Sequence, residues 1–343
     1  MTTLAHQYIE RTTGQVRTER FIGDRSVRCL YSAAREHAPV IFKALTSRFA
    51  NDFVATLQFD LPLLTRWSRL RSLLERAGLR TDEMVNPPGS MTSLRELFER
   101  QIRFWECRPM PEDPNCVVAP SDSRMLCGSQ AGKTSLSIKH KLFGLGELLG
   151  PGSKWNSNFG SGDWAVFRLT PEKYHYNHFP VAGRIADFYE IQGAFNSCNP
   201  IAVIKNPTAS AQNGRSVTVI DTDVPGGARI GLVAMIEVVA LMVGEVRQCY
   251  SAQYYLDPRP IEPGMQVLRG AVKSLFRPGS STVILLFEPA RVEFDSDLLA
   301  NLNRRDASSR YSAGFGEPLV ETEVNVRASI ASPWSPMTAR WLS

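Results

Sequence analysis

The sequence lacks close cysteine pairs, and this absence restricts the kinds of site it can hold. Its six cysteines are widely spaced and include no C-x-x-C pair. This spacing argues against a zinc ribbon and, in a chain of 343 residues, against a disulfide framework. We therefore expect free thiols in a reducing compartment and no metal site. The cysteines are Cys29, Cys107, Cys116, Cys127, Cys198 and Cys249.

The sequence also lacks a concentrated charge and a long apolar run. The 39 basic and 34 acidic residues give a net charge of only +5, which is spread along the chain. Nucleic-acid binding normally needs a basic patch, so nucleic acid is not expected as a partner. The most apolar stretch, residues 230–246, is interrupted by Glu237 and is shorter than a bilayer span. The N-terminal residues show no apolar signal segment. These features predict a soluble, cytoplasmic protein with at most peripheral membrane contact.

The first part of the chain predicts helices. Residues 1–90 are expected to form a helical N-terminal extension, because apolar residues recur at helical spacing between residues 64 and 74. Residues 86–90, Asn-Pro-Pro-Gly-Ser, mark a break. Ser93 and Glu96 then fit a capping box, which predicts a helix running to about Trp105. Its apolar face would consist of Leu94, Leu97, Phe98, Ile102 and Trp105.

From about Cys116 the composition changes to that of a β-protein. Residues 164–169, 216–219 and 282–287 are rich in β-branched and aromatic side chains, which predicts buried strands. Residues 301–343 mix polar residues with proline and tryptophan, which predicts a tail on the surface. The predicted division is therefore an extension over 1–90, a catalytic domain over 91–300 and a tail over 301–343.

Three separate segments resemble the phosphatidylserine decarboxylase family. Residues 119–123 read Ala-Pro-Ser-Asp-Ser, where the family has Ser-Pro-x-Asp-Gly. Residues 174–183 contain the family's Tyr-His-x-x-His-x-Pro-x-x-Gly pattern, and residues 279–282, Gly-Ser-Ser-Thr, resemble its processing site. Any one segment alone is better explained as a turn or a loop. Their occurrence in the family's order favours membership, and the resemblance spans about residues 91–297.

The resemblance implies an α+β fold and a chain that cleaves itself. The fold would be a mainly antiparallel, β-rich catalytic domain with flanking helices. In this family a serine hydroxyl attacks the preceding carbonyl, and β-elimination and hydrolysis then leave a pyruvoyl group. A serine hydroxyl needs a base for this attack. By resemblance Ser281 is the nucleophile and pyruvoyl precursor, His178 the base and Asp122 its orienting partner, as in hydrolase triads.

The resemblance also assigns the later decarboxylation. The pyruvoyl ketone would form a Schiff base with the substrate amine and serve as an electron sink. His175 would act there as an acid and position the substrate. No metal or diffusible cofactor is implied. The β and α chains made by cleavage would stay associated, and a homodimer is compatible with the family.

The processing segment departs from the family pattern at Ser280. The family usually has glycine before the processed serine, and the strained backbone there suits glycine. Cleavage before Ser281 places Ser280 in that position, whereas cleavage before Ser280 restores Gly279 to it. Adjacent side chains of a strand face opposite sides, so only one of the two serines can meet His178. Ser281 is favoured because residues 282–287 then fit without a gap.

Three functions follow from this sequence. The first is phosphatidylserine decarboxylation to phosphatidylethanolamine at a membrane surface. The second is decarboxylation of a free amino acid, such as an aromatic one, as in the soluble tryptophan decarboxylases of fungal secondary metabolism that resemble this family. Departures at Ser123, Val272 and Ser274 indicate a divergent branch. The absence of a membrane anchor, the long N-terminal extension and the substituted processing segment favour this second function slightly, whereas the family's base rate favours the first. The third is an unprocessed pseudoenzyme with a binding role, which the substitution at Ser280 suggests.

Overall fold

The computed structural model describes residues 5–21, 78–128, 145–206, 208–240, 245–278 and 281–335. Within these ranges the strands are β1 (Gln7–Glu10), β2 (Gln15–Thr18), β3 (Val117–Val118), β4 (Ser123–Gly128), β5 (Trp164–Leu169), β6 (Tyr176–His178), β7 (Gly183–Ile191), β8 (Arg215–Asp221), β9 (Leu232–Val239), β10 (Val246–Ser251), β11 (Gln266–Val267), β12 (Val272–Phe276), β13 (Ser281–Phe287), β14 (Val292–Phe294), β15 (Glu321–Val324) and β16 (Ser329–Pro333). The helices are α1 (Leu94–Phe98), α2 (Phe104–Cys107), α3 (Leu145–Leu148), α4 (Asn156–Phe159), α5 (Pro200–Lys205), α6 (Ala209–Gln212), α7 (Ser296–Leu302) and α8 (Arg310–Phe315), and short 3₁₀ turns span Thr81–Glu83 and Pro88–Ser90.

One large sheet organises the described residues. Its strands lie in the order β11-β7-β8-β9-β13-β5-β4-β15-β1-β2. Neighbouring strands are antiparallel, except for the parallel pair β1 and β15. Two smaller sheets have the orders β10-β12-β6 and β14-β16-β3. The prediction of a mainly antiparallel α+β fold is confirmed.

β13 lies at the centre of the large sheet. It pairs with β9 on one side and with β5 on the other. Val283, Leu285 and Phe287 belong to one apolar cluster, whereas Ile284 and Leu286 belong to the cluster on the opposite face. Because both faces are covered, the strand reads as a continuous apolar run, as its sequence predicted. The strands predicted at 164–169 and 216–219 are confirmed as well, as β5 and part of β8.

The beginning of the chain differs from the predicted helical extension. β1 and β2 are strands of the large sheet, and Ile9 of β1 is fully buried. The prediction was wrong for these residues because β1 depends on parallel pairing with β15, which lies near the opposite end of the sequence. The helical repeat at residues 64–74 lies outside the described residues.

The end of the chain also differs from the predicted surface tail. β15 lies between β4 and β1, inside the large sheet. Its Glu321 is buried, and the carboxylate accepts hydrogen bonds from Arg168 at 2.9 and 2.6 Å and lies 2.7 Å from His6 Nε2. From its sequence alone, a polar strand such as β15 is taken for a surface segment. The residues that neutralise its buried carboxylate lie far away along the chain.

The helix predicted from Ser93 to Trp105 is divided in two. Ser93 Oγ accepts a hydrogen bond from the Glu96 N–H at 3.2 Å, which confirms the predicted cap. The Glu96 carboxylate instead accepts from the Thr92 N–H, at 2.6 Å. α1 ends at Phe98, and the chain then extends so that Ile102 forms a β-bridge with Met84 before α2 begins.

The remaining expectations concern cysteines and membranes. The five cysteines within the described residues are free thiols, as predicted. None of the helices in the described ranges has both the length and the apolar character needed to cross a membrane.

Candidate active site

Ser281 is the first residue of β13 and is fully buried. Its hydroxyl has no hydrogen-bond partner within the described residues. Strand alternation places its side chain on the face of Val283 and Leu285, whose cluster includes Phe179 and Phe276. The serine therefore faces the apolar cluster that contains Phe179, the residue that follows His178 in the chain. Ser280 lies outside the described residues.

The backbone brings the three motif segments together. The His178 N–H donates to the Pro120 carbonyl at 2.8 Å, which joins the histidine segment to the aspartate segment. The Phe276 N–H donates to the His175 carbonyl at 3.0 Å. Phe276 ends β12, which pairs with β6 and leads towards Ser281. Segments that are distant in sequence thus meet at one place between the large sheet and β10-β12-β6.

His178 is buried and held through both ring nitrogens. Its Nδ1 lies 2.9 Å from the Gly270 carbonyl, which can only accept, so Nδ1 carries the proton of the neutral ring. Nε2 then accepts a hydrogen bond from the Tyr174 hydroxyl at 3.1 Å, and that hydroxyl lies 2.7 Å from the Tyr255 hydroxyl. Burial lowers the pKa of His178 to about 3. The imidazole is therefore neutral, and its Nε2 lone pair is engaged by the Tyr174 hydroxyl.

Asp122 is buried nearby but is paired with Arg108. Arg108 donates from Nε to Oδ1 at 3.0 Å and from Nη2 to Oδ2 at 2.7 Å, and the Val326 N–H donates to Oδ1 at 2.7 Å. Burial alone would raise the pKa of Asp122, but the Arg108 guanidinium lowers it below its ordinary value. Within the described residues no hydrogen bond joins Asp122 to His178. The predicted direct pair is thus replaced by an interaction through space, in which the Asp122 charge favours protonation of His178.

His175 is enclosed and stacked on Phe98. The two ring centroids are 3.6 Å apart, and neither His175 nitrogen makes a hydrogen bond of good geometry within the described residues. Burial and then the charge of Arg100 lower the pKa of His175 well below its ordinary value. A neutral imidazole whose nitrogens have no well-formed partner in the described residues suits contact with a bound molecule, because buried polar atoms normally have partners.

A buried polar network beside the histidines was not predicted from the sequence. Glu237 of β9 lies opposite Val283 of β13, and both Glu237 and Lys273 are fully buried. Their Nζ–Oε2 distance is 2.6 Å. This pair joins the large sheet to β12. The Glu237 carboxylate also accepts hydrogen bonds from Asn177, Ser274 and Gln248. In the sequence Glu237 only interrupted an apolar run, and nothing indicated its partners.

Removing the carboxylate of this network should destabilise the fold strongly. Glu237→Ala leaves the Lys273 ammonium buried without a counter-charge, which should cost about 3–5 kcal/mol of unfolding free energy. Urea denaturation monitored by circular dichroism measures the loss. The Glu237→Leu/Lys273→Met double variant is the control, and it should recover most of the stability because no lone charge remains. A single variant as stable as the parent would contradict the proposed importance of the pair.

Comparison with known proteins gives the family. The family model for phosphatidylserine decarboxylase matches residues 94–312, well over half of the chain. The "Phosphatidylserine decarboxylase proenzyme" of Chlamydia muridarum is 32% identical over 302 residues, covering 85% of this chain and 90% of that protein. The protein of the same name from Fusobacterium nucleatum is 26% identical over 304 residues, covering 87% of this chain and 93% of the relative.

These matches define an enzyme of the carboxy-lyase class. The chain belongs to the phosphatidylserine decarboxylase family, as its motifs predicted.

Proposed function

We propose that this chain cleaves itself before Ser281 and, once processed, decarboxylates phosphatidylserine to phosphatidylethanolamine. The observation that carries the proposal is the enclosed Ser281 hydroxyl, which has no partner in the described residues and faces the cluster that contains Phe179, next to His178 in the chain. The relatives named as phosphatidylserine decarboxylase proenzymes, which match more than four-fifths of the chain, support the substrate and the self-processing.

The processing step uses the chain's own groups. Ser281 Oγ attacks the Ser280 carbonyl carbon while His178 Nε2, after releasing the Tyr174 hydroxyl, takes the serine proton. The C–N bond then breaks, the nitrogen receives a proton, and an ester joins the two halves. Loss of the Ser281 Cα proton and cleavage of the Cβ–O bond release Ser280 as a new C-terminal carboxylate. One water hydrolyses the resulting dehydroalanine, and ammonia leaves.

The surroundings of Ser281 fit a pyruvoyl group at this position. The side chain is buried between the neighbouring strands, opposite Leu169 and Val239, so a small ketone there would be shielded from water. The new chain would begin with β13, which pairs on both sides within the large sheet. We therefore expect the two chains to remain associated after cleavage.

The two histidines act in different steps, His178 in self-cleavage and His175 in decarboxylation. The pyruvoyl group supplies an electron sink that accepts the charge left when carbon dioxide departs. His178 acts during processing, since its Nε2 is a neutral base oriented by Tyr174 and by the Gly270 carbonyl. His175, which is neutral and has no well-formed hydrogen bond in the described residues, positions the substrate and relays from solvent the proton that replaces carbon dioxide on its α-carbon. Asp122 acts through its charge and by holding Arg108.

The substrate is tested by measuring carbon dioxide release. Purified, processed protein should release it from liposomes containing phosphatidylserine and not from L-serine or L-tryptophan in solution. Lipid extracts should contain the matching amount of phosphatidylethanolamine. Release from free L-tryptophan alone would instead establish the amino-acid decarboxylase. A chain that stays whole on prolonged incubation and never reacts with a carbonyl reagent would favour the unprocessed pseudoenzyme.

A further inference from the structure

A charged cleft opens beside Asp122 and Tyr174. Its volume is about 490 Å³, within the range of small-molecule sites. Within the described residues, five of its six lining cations have a carboxylate within ion-pair distance, and Arg100 has none. The five paired cations are Arg11, Arg80, Arg108, Arg124 and Lys173.

Among the described residues, only backbone carbonyls hold the buried guanidinium of Arg100. Arg100 is only 6% exposed to solvent. Nη2 donates to the Glu172 carbonyl at 2.7 Å and Nη1 to the Leu97 carbonyl at 3.3 Å, while Nε has no partner in the described residues. A buried cation without a directly paired carboxylate is costly, and the charges of Asp122 and Glu83 act on Arg100 only through space. Arg215 is similarly buried, but three carbonyls engage its guanidinium and none of its nitrogens lacks a partner. Arg100 therefore has unused capacity to bind an anion.

We propose that Arg100 binds the phosphodiester of the phospholipid headgroup in this cleft. The substrate class rests on the proposed function. One hydrogen bond and one electrostatic interaction connect the cleft to the reacting groups. Tyr174 lines it and donates to His178, and the charge of Arg100 is close enough to lower the pKa of His175.

The phosphodiester is a better occupant of this position than the departing carboxylate. Decarboxylation removes the charge of the carboxylate as neutral carbon dioxide forms. A cation paired with that carboxylate would therefore stabilise the substrate more than the transition state and slow the reaction. The phosphodiester keeps its charge throughout, so binding it carries no such penalty. The guanidinium also matches the oxygens of a phosphate group geometrically.

The test is a binding measurement that does not depend on turnover. Glycerophosphoethanolamine carries the product headgroup without a carboxylate, and ethanolamine lacks the phosphodiester. Titration calorimetry on the full-length protein should show that glycerophosphoethanolamine binds at least about tenfold more tightly than ethanolamine. Arg100→Gln should abolish that difference. The matched control is Arg80→Gln, which removes an exposed cation from the same cleft and should change the affinity by less than about threefold.

Several results would overturn the assignment. Unchanged affinity in Arg100→Gln, or an equal loss in Arg80→Gln, would contradict a specific site at Arg100. Inorganic phosphate binding as tightly as glycerophosphoethanolamine would contradict a headgroup site. If Arg100→Gln does not fold, Arg100→Lys replaces it; the two-pronged contact is then lost, and unchanged affinity contradicts the proposal. Failure to release carbon dioxide from phosphatidylserine, with the Arg100-dependent binding intact, would refute the proposed function while keeping the phosphodiester site.

Discussion

The Ser281→Ala variant is expected to remain a single chain of 343 residues and to release no carbon dioxide from any substrate. Without the hydroxyl no ester forms, so neither cleavage nor the pyruvoyl group follows. Intact-mass spectrometry measures the cleavage, and carbon dioxide release measures the activity. The parent protein should instead give two pieces, one ending at Ser280 and one running from position 281 to Ser343.

Ser280→Ala is the matched control, because it removes the same hydroxyl one residue earlier. We expect this variant to be cleaved before Ser281, at a rate equal to or above that of the parent, since alanine is the smaller side chain at the position where the family has glycine. If Ser280→Ala blocks cleavage while Ser281→Ala permits it, the processed serine is Ser280. The first piece of the parent would then end at Gly279, and the measured masses would show it.

His175→Ala should separate processing from decarboxylation. We expect this variant to be cleaved normally and to lose at least about 100-fold in turnover, the usual contribution of a positioned acid or base. His175 is enclosed on Phe98, with no hydrogen bond of good geometry at its nitrogens in the described residues, whereas the Nε2 of His178 is already oriented by Tyr174. Mass spectrometry and carbon dioxide release measure the two steps separately.

His178→Ala is the comparison, and it should prevent cleavage altogether. Each variant removes a buried imidazole and leaves a cavity in its place. Thermal unfolding of both variants checks that the chain remains folded in spite of this cavity. If His175→Ala also stays whole while remaining folded, the assignment of the two histidines to different steps is wrong.

Local sequence predicted the features that depend on neighbours along the chain. The apolar run of β13 predicted a buried strand, and the cap at Ser93 predicted where α1 begins. The motif histidines and Asp122 were recognised from short patterns, and the structure places them in one region. Local sequence failed where long-range partners decide, as in β1 and β15, which pair although they lie near opposite ends of the sequence.

The finer arrangement of the site also depended on long-range partners. The sequence contained no indication that Arg108 rather than His178 would pair with Asp122, because ion pairs form between whichever charged groups the fold brings together. The same holds for Tyr255, which contacts Tyr174, and for Lys273, which neutralises Glu237.

The sequence by itself determined the family and the mainly antiparallel α+β fold. It also identified Ser281, His175, His178 and Asp122 as the candidate site residues. Only the tertiary structure decided which groups each of them contacts and where Arg100 lies. The physical reason is that strand periodicity and caps act over a few residues, whereas burial, ion pairing and the pKa of a side chain depend on groups that folding brings together from distant parts of the chain.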